Sequence, residues 1–148
     1  MKTMFKCENG NIFCPANVVC VKNEKSGKTN DGLVYRWAVF FDNRIYSVSC
    51  LTQADYERFV KWMEGSQIKD MFMCEDGTIV SVDNIVYLYN INVRPYYDGD
   101  DPNRYPPPSK RPWEVVFDDV HRDNHSLEIT QADYGRLVKM LEEKGVVV

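Results

Sequence analysis

Two stretches of the chain repeat apolar residues at the spacing of an α-helix. In both stretches apolar side chains recur at positions i, i+3, i+4 and i+7, the pattern of one buried helix face. The members are Tyr56, Phe59, Val60 and Met63 in the first stretch and Tyr134, Leu137, Val138 and Leu141 in the second. Thr52 and Thr130 precede the stretches, with an aspartate three residues on, and Gly65 and Gly145 follow them. Threonine and glycine at these places are typical of helix caps, so we predict two amphipathic helices that face a core.

The other apolar runs are short and rich in β-branched and aromatic residues, which favours strands. Such runs occupy residues 17–21, 37–41, 84–89 and 113–117. Residues 44–49 alternate polar and apolar positions, as expected of a strand with one buried face. Asn9-Gly10 and Asp76-Gly77 predict hairpin turns, because both dipeptides readily adopt positive φ. The pattern therefore predicts small antiparallel sheets.

These elements recur in the same order along the chain. Residues 4–12 and 71–79 share six of nine residues, and residues 52–56 are identical to residues 130–134. Between these matches Trp37 corresponds to Trp113. The offset between matched residues grows from 67 to 78, and such insertions belong in loops between strands.

The repetition predicts an α+β fold made by tandem duplication. The first segment is residues 1–66 and the second is residues 67–148. Each is expected to form about four antiparallel strands closed by one C-terminal helix. A unit of about 70 residues is marginal alone, so we expect the segments to pack as one compact body with pseudo-twofold symmetry.

The second segment carries an insertion at residues 94–112 that is rich in Tyr, Arg, Asp and Pro. This composition is typical of recognition surfaces, and long loops in compact domains are usually functional or disordered. The insertion lacks the twelve-residue calcium-loop pattern of an EF-hand. The predicted binding residues are Arg94, Tyr96, Tyr97, Arg104, Tyr105, Arg111 and Trp113. The alternative interpretation is a hairpin loop that has only grown longer.

His121 and His125 lie in an acidic stretch before the last predicted strand. Imidazole and carboxylate groups together suggest a divalent metal site. However, the matching turn at residues 42–44 has no histidine, and the i, i+4 spacing serves a metal only on a helix. We therefore predict a solvated turn without a metal.

The five cysteines are odd in number and form no C-x-x-C pair, which favours reduced thiols and a cytoplasmic location. Cys7 and Cys74 hold matching strand positions, as small buried side chains would. Trp37 and Trp113 also match. Their repetition is typical of core packing, although an exposed pair could stack on bases.

Function is constrained mainly by exclusions. The net charge of −4 argues against a general nucleic-acid binder. The first eight residues reach charge before any apolar run, so no signal peptide is expected, and no stretch approaches the roughly 18 apolar residues of a membrane span. Walker A, G-x-G-x-x-G, G-x-S-x-G and H-E-x-x-H motifs do not occur, and no cofactor is predicted.

We therefore expect a non-enzymatic binding protein that acts on a protein partner through the insertion. A small adaptor or inhibitor, of the accessory kind that phages and mobile elements encode, fits the size and the duplication. The alternative is a small-ligand or nucleotide-binding protein, in which Arg or Lys holds phosphate and Tyr or Trp stacks on the base. The sequence leaves self-association into a homo-oligomer open.

Overall fold

The computed structural model describes residues 3–24, 30–41, 48–66, 70–92, 109–117 and 126–147. Within these ranges the chain is an α+β protein with ten strands in three antiparallel sheets and two helices. The elements are β1 (Phe5–Lys6), β2 (Ile12–Phe13), β3 (Val18–Asn23), β4 (Trp37–Phe41), β5 (Val48–Leu51), α1 (Gln53–Glu64), β6 (Met71–Met73), β7 (Ile79–Ser81), β8 (Ile85–Asn90), β9 (Trp113–Phe117), β10 (Ser126–Ile129) and α2 (Gln131–Glu143). Short 3-10 turns precede β3 and β8, at Pro15–Asn17 and Val82–Asn84. Neither α1 nor α2 has the length and apolar character needed to cross a membrane.

Both predicted hairpin turns form, and they have the same geometry. In the β1–β2 turn the Cys7 N–H donates to the Asn11 carbonyl at 2.8 Å, and the Gly10 N–H donates to the Cys7 carbonyl at 3.0 Å. The β6–β7 turn repeats both bonds at the same distances with Cys74, Thr78 and Gly77. Gly10 has φ +91° and Gly77 has φ +88°, a conformation in which a side chain is strained.

The largest sheet has five strands in the order β5-β4-β3-β7-β6. Strand β7 pairs antiparallel with β3, with Val80 opposite Cys20 and Ile79 opposite Val21. The β6–β7 hairpin thus joins the sheet formed by β3 to β5, although its sequence begins the second segment. Strands β1 to β7 and α1 belong to one compact unit of the molecule.

The second compact unit contains α2 and a three-stranded sheet in the order β10-β9-β8. Leu88, Val115 and Leu127 lie side by side across its strands. Val115 and Leu127 are buried, so they belong to the inner face of the sheet. Residues one position away along each strand point to the opposite, outer face.

Both helices begin where the sequence predicts. The Thr52 hydroxyl accepts a hydrogen bond from the Asp55 N–H at 3.1 Å, and Thr130 does the same for Asp133 at 3.1 Å. Gly65 is the C-cap of α1. In α2 the C-cap is Lys144, and Gly145 follows it with φ +72°.

The helix stripes are buried in part. Phe59 is fully buried and contacts Phe5 edge-on, with ring centroids 5.6 Å apart. Tyr56 and Leu137 are buried as predicted. The prediction of burial is wrong for Val60, Tyr134 and Val138, which are half-buried, and the stripe residues Met63 and Leu141 are half-buried as well. Tyr134 matches Tyr56, which is buried, so the position in the stripe does not by itself decide burial.

Candidate binding surface

Two hydrogen bonds join the two ends of the connection between β8 and β9, at the base of the insertion. The Ile91 N–H donates to the Pro112 carbonyl at 2.8 Å, and the Ser109 N–H donates to Asn92 Oδ1 at 3.1 Å. In the first segment the Glu24 N–H donates to the Arg36 carbonyl at 2.9 Å, which is the matching bond of the β3–β4 hairpin. Both hairpins therefore close in the same way, although the connection in the second segment is nine residues longer.

Most of the predicted binding residues lie outside the described residues. These are Arg94, Tyr96, Tyr97, Arg104 and Tyr105. The same holds for His121 and His125. Arg111 is described and exposed, and its N–H donates to the Ser109 hydroxyl at 3.0 Å. Arg111 therefore lies at the base of the insertion, on a turn held by a local hydrogen bond.

Trp113 packs against α2. Its ring stacks on Tyr134 with centroids 3.6 Å apart and an angle of 3°, and its Nε1–H donates to Gln131 Oε1 at 2.8 Å. Trp37 makes the same contacts, with Tyr56 at 3.6 Å and 4° and with Gln53 Oε1 at 3.0 Å. Trp37 is only 4% exposed, and Trp113 is half-buried. Both tryptophans thus tie a strand to a helix, and Trp113 keeps part of its ring surface uncovered.

The outer face of the three-stranded sheet carries polar and aromatic residues that the sequence prediction missed. Tyr87 and Tyr89 stack with ring centroids 5.5 Å apart, and Tyr87 is 58% exposed. Tyr89 lies opposite Glu114 on β9, which in turn lies opposite Glu128 on β10. We refer to Tyr87, Tyr89, Glu114 and Glu128 as the outer-face cluster.

The outer-face cluster is acidic and holds a close hydrogen bond. The Tyr89 hydroxyl donates to Glu114 Oε2. This hydrogen bond, with the negative charges of Glu114 and Glu128, raises the pKa of Tyr89. The cluster therefore offers an aromatic ring beside two carboxylates.

Two features of the sequence are consistent with this cluster but do not by themselves identify it. Tyr87 and Tyr89 alternate along one strand, which places them on one face of the sheet. The matching residues of the first segment are Cys20 and Lys22, so the aromatic pair is specific to the second segment. Which face would be exposed depended on the helix that covers the other one.

Burial makes at least two of the thiols poor nucleophiles. All five cysteines are free, and Cys7, Cys20 and Cys74 are buried. Burial raises the pKa of Cys7 to about 11 and that of Cys20 to about 12. A thiol with so high a pKa is protonated at neutral pH and a poor nucleophile. Among the described residues no group of three or more His, Cys, Asp or Glu side chains is placed to hold a metal ion.

Comparison of the chain with models of protein families, with curated proteins and with solved structures gave no match.

Proposed function

We propose that the chain is a non-enzymatic binding protein that recognises another protein through the insertion at residues 94–112 and the outer-face cluster. One observation carries the proposal. The hairpin below the insertion closes by the same backbone bond as the shorter β3–β4 hairpin, so the extra residues are not needed to close it. Long connections that the fold does not need are commonly functional.

The chemistry of the outer-face cluster supports a protein partner. Exposed tyrosine supplies a large contact area at a low entropic cost and is enriched at interfaces. Glu114 and Glu128 add negative charge, which is complementary to Lys or Arg side chains of a partner. Reduced thiols support a reducing compartment such as the cytoplasm.

We further infer that residues 1–66 and 67–148 arose by tandem duplication. The inference is supported by three pairs of matching contacts: the hairpin turns, the Trp-Tyr stacks and the threonine caps. An aspartate-arginine pair also recurs, from Asp55 to Arg58 at 2.6 Å and from Asp133 to Arg136 at 2.5 Å. An experimental structure in which the two segments differ in strand order would contradict the duplication. A pseudo-twofold arrangement stays a prediction.

A loop exchange tests the proposed function. Residues 91–112 are replaced by residues 24–36, so that the β8–β9 hairpin receives the shorter connection. Capture from the native cell with the intact chain, followed by mass spectrometry, identifies the partner. We expect the exchanged protein to unfold at the same denaturant concentration and to lose the partner.

Point substitutions separate the loop from the sheet. We expect Tyr89→Ala to weaken partner binding by about 1–3 kcal/mol, the usual cost of removing an aromatic anchor. The matched control is Lys22→Ala, at the corresponding position of the first segment, which should leave binding unchanged. Full affinity in both the loop exchange and Tyr89→Ala would place the site elsewhere on the molecule and overturn the proposal.

A further inference from the structure

Matching positions of the two segments differ sharply in exposure along two strand edges. Ile79 on β7 is fully buried, whereas the matching Ile12 on β2 is 58% exposed. On the strands that follow, Val19 and Cys20 are 5% and 3% exposed, whereas the matching Val86 and Tyr87 are 65% and 58% exposed. The buried members belong to β7 and β3, which pair with one another.

The exposed members lie on two strands that are edges among the described strands. Strand β2 pairs there only with β1, and β8 pairs only with β9. Strand β8 matches β3, and its open edge corresponds to the edge of β3 that pairs with β7. Strand β2 matches β7, and its open edge corresponds to the edge of β7 that pairs with β3. Unpaired strand edges with exposed apolar residues are ready templates for pairing with another strand.

We propose that β8 of one chain pairs antiparallel with β2 of a second copy of this chain, repeating the β3–β7 pairing between molecules. The proposal rests on the matching of the two segments that the duplication explains. Because Cys20 lies opposite Val80 and Val21 opposite Ile79, the same register places Tyr87 opposite Phe13 and Leu88 opposite Ile12. Each contact joins two different edges, so a chain has one edge for each of two such contacts.

The hydrogen-bonding groups of the last residue of β8 fit this register. In the β3–β7 contact the Asn23 N–H donates to Thr78 Oγ1 at 3.2 Å, and Asn23 Nδ2 donates to the Asp76 carbonyl at 3.0 Å. The matching residue of β8 is again an asparagine, Asn90. The next residue, Ile91, donates its N–H to the β9 side, so the Asn90 N–H points toward the open edge. Asn11 and the Asn9 carbonyl of the second copy match Thr78 and the Asp76 carbonyl.

The hairpin turn supplies a further match. The Tyr56 hydroxyl donates to the Gly77 carbonyl at 2.5 Å, and a Cβ on Gly77 would lie 2.7 Å from Trp37 Cη2. The matching Gly10 has nothing within 4 Å of that position, while Trp113 and Tyr134 are half-buried. In the proposed contact the turn at Gly10 of the second copy covers Trp113 and Tyr134 of the chain that supplies β8.

Sedimentation of the full chain tests the proposal. The chain should associate above its monomer mass of 17.3 kDa as its concentration rises. Two variants each remove one edge: Ile12→Glu puts a charge on the β2 edge, and Asn90→Pro removes both donors of Asn90. Each should raise the dissociation constant at least about 30-fold, the effect of losing one anchoring contact. The control Val146→Glu, at an exposed position outside both edges, should not change it.

Mixing the two variants distinguishes the β8–β2 contact from one that pairs two identical edges. Ile12→Glu keeps an intact β8, and Asn90→Pro keeps an intact β2, so an equimolar mixture should form one-to-one dimers although each variant alone is monomeric. Unfolding curves verify that each variant is folded, and Ile12→Glu is the safer one because Ile12 is exposed. A wild-type chain that stays monomeric would overturn the proposal, even if its β8 edge pairs with another strand of the same chain. So would a mixture that does not associate.

Discussion

Asp55 shows how one residue joins a local cap to a distant part of the chain. Its N–H is bound by Thr52, while its fully buried carboxylate accepts the Glu8 N–H at 3.0 Å and an Arg58 N–H at 2.6 Å. Thr52 in turn donates to a Glu8 carboxylate oxygen at 2.9 Å. A buried carboxylate is stable only when such donors satisfy it, so Asp55 fixes the β1–β2 hairpin against α1.

The two turn glycines form a matched pair for a residue-scale prediction. Both have positive φ, so alanine at either costs backbone strain of about 1–2 kcal/mol. Only at Gly77 would a Cβ also meet Trp37 and, at 2.9 Å, the Tyr56 hydroxyl. We therefore expect Gly77→Ala to destabilise the fold by about 1–3 kcal/mol more than Gly10→Ala.

Urea unfolding of both variants, at a protein concentration at which sedimentation finds the monomer, measures this difference. Equal losses for the two variants would contradict the packing of the Trp37-Tyr56 stack on the β6–β7 turn.

At the scale of elements, hydrogen bonds between nearby residues explain where the helices begin and where the hairpins turn. Threonine caps begin both helices, and positive-φ glycines close both hairpins. These features depend on bonds between residues a few positions apart, so they can be predicted from the sequence. The pairing of β7 with β3 depends on the competition between edges far apart in the chain, and the helical and strand periodicities do not encode it.

The buried centre of each helix stripe gives the element-scale prediction. Phe59 and Leu137 are 0% and 1% exposed, so truncation removes apolar contacts and leaves a cavity. We expect Phe59→Ala to cost about 3–5 kcal/mol and Leu137→Ala about 2–5 kcal/mol of unfolding free energy. Val60→Ala, at a half-buried position, is the matched control and should cost less. Denaturant unfolding measures all three, and losses well under about 1 kcal/mol at Phe59 would show that the stripe does not face a core.

For the whole molecule, three buried acids contribute to the response to alkaline pH. Burial is the largest cause that raises the pKa of Cys7 from 9.0 to about 11, of Cys20 from 9.0 to about 12, and of Tyr56 from 10.0 to about 12. Folding therefore favours the protonated form of each group. Their stabilising effect is complete below pH 9.0 and is lost as the pH rises toward about 12.

We expect the unfolding free energy to fall steadily from pH 9.0 to about 12. Cys20→Ala should make this fall shallower, because it removes the most buried of the three groups, although it lowers stability at neutral pH. The control Val19→Ala, at a buried position without a titrating group, should lower stability at neutral pH and leave the slope unchanged. Urea midpoints across the pH series, measured under reducing conditions, decide between these outcomes.

One part of the candidate surface can be predicted from the sequence, and the other part depends on the tertiary structure. The insertion is visible in the sequence because its composition and length differ from the matching connection. The outer-face cluster is not, because Tyr87, Tyr89 and Glu114 become a surface only once α2 covers the opposite face of the sheet. The role of Trp113 also needed the structure, since a strand tryptophan packs on a helix or stays exposed according to its neighbours.

The sequence by itself determined the hairpin turns, the helix caps, the helical stripes and the α+β class, because each depends on hydrogen bonds or periodicity within a few residues. Only the tertiary structure decided that β7 adds to the sheet of β3, that Asp55 binds Glu8, and that Ile79 is buried while Ile12 is not. The two hairpins have nearly identical local sequences, yet they differ in strand pairing and in burial. The physical reason is that burial and strand pairing depend on which distant edge is present to cover a side chain.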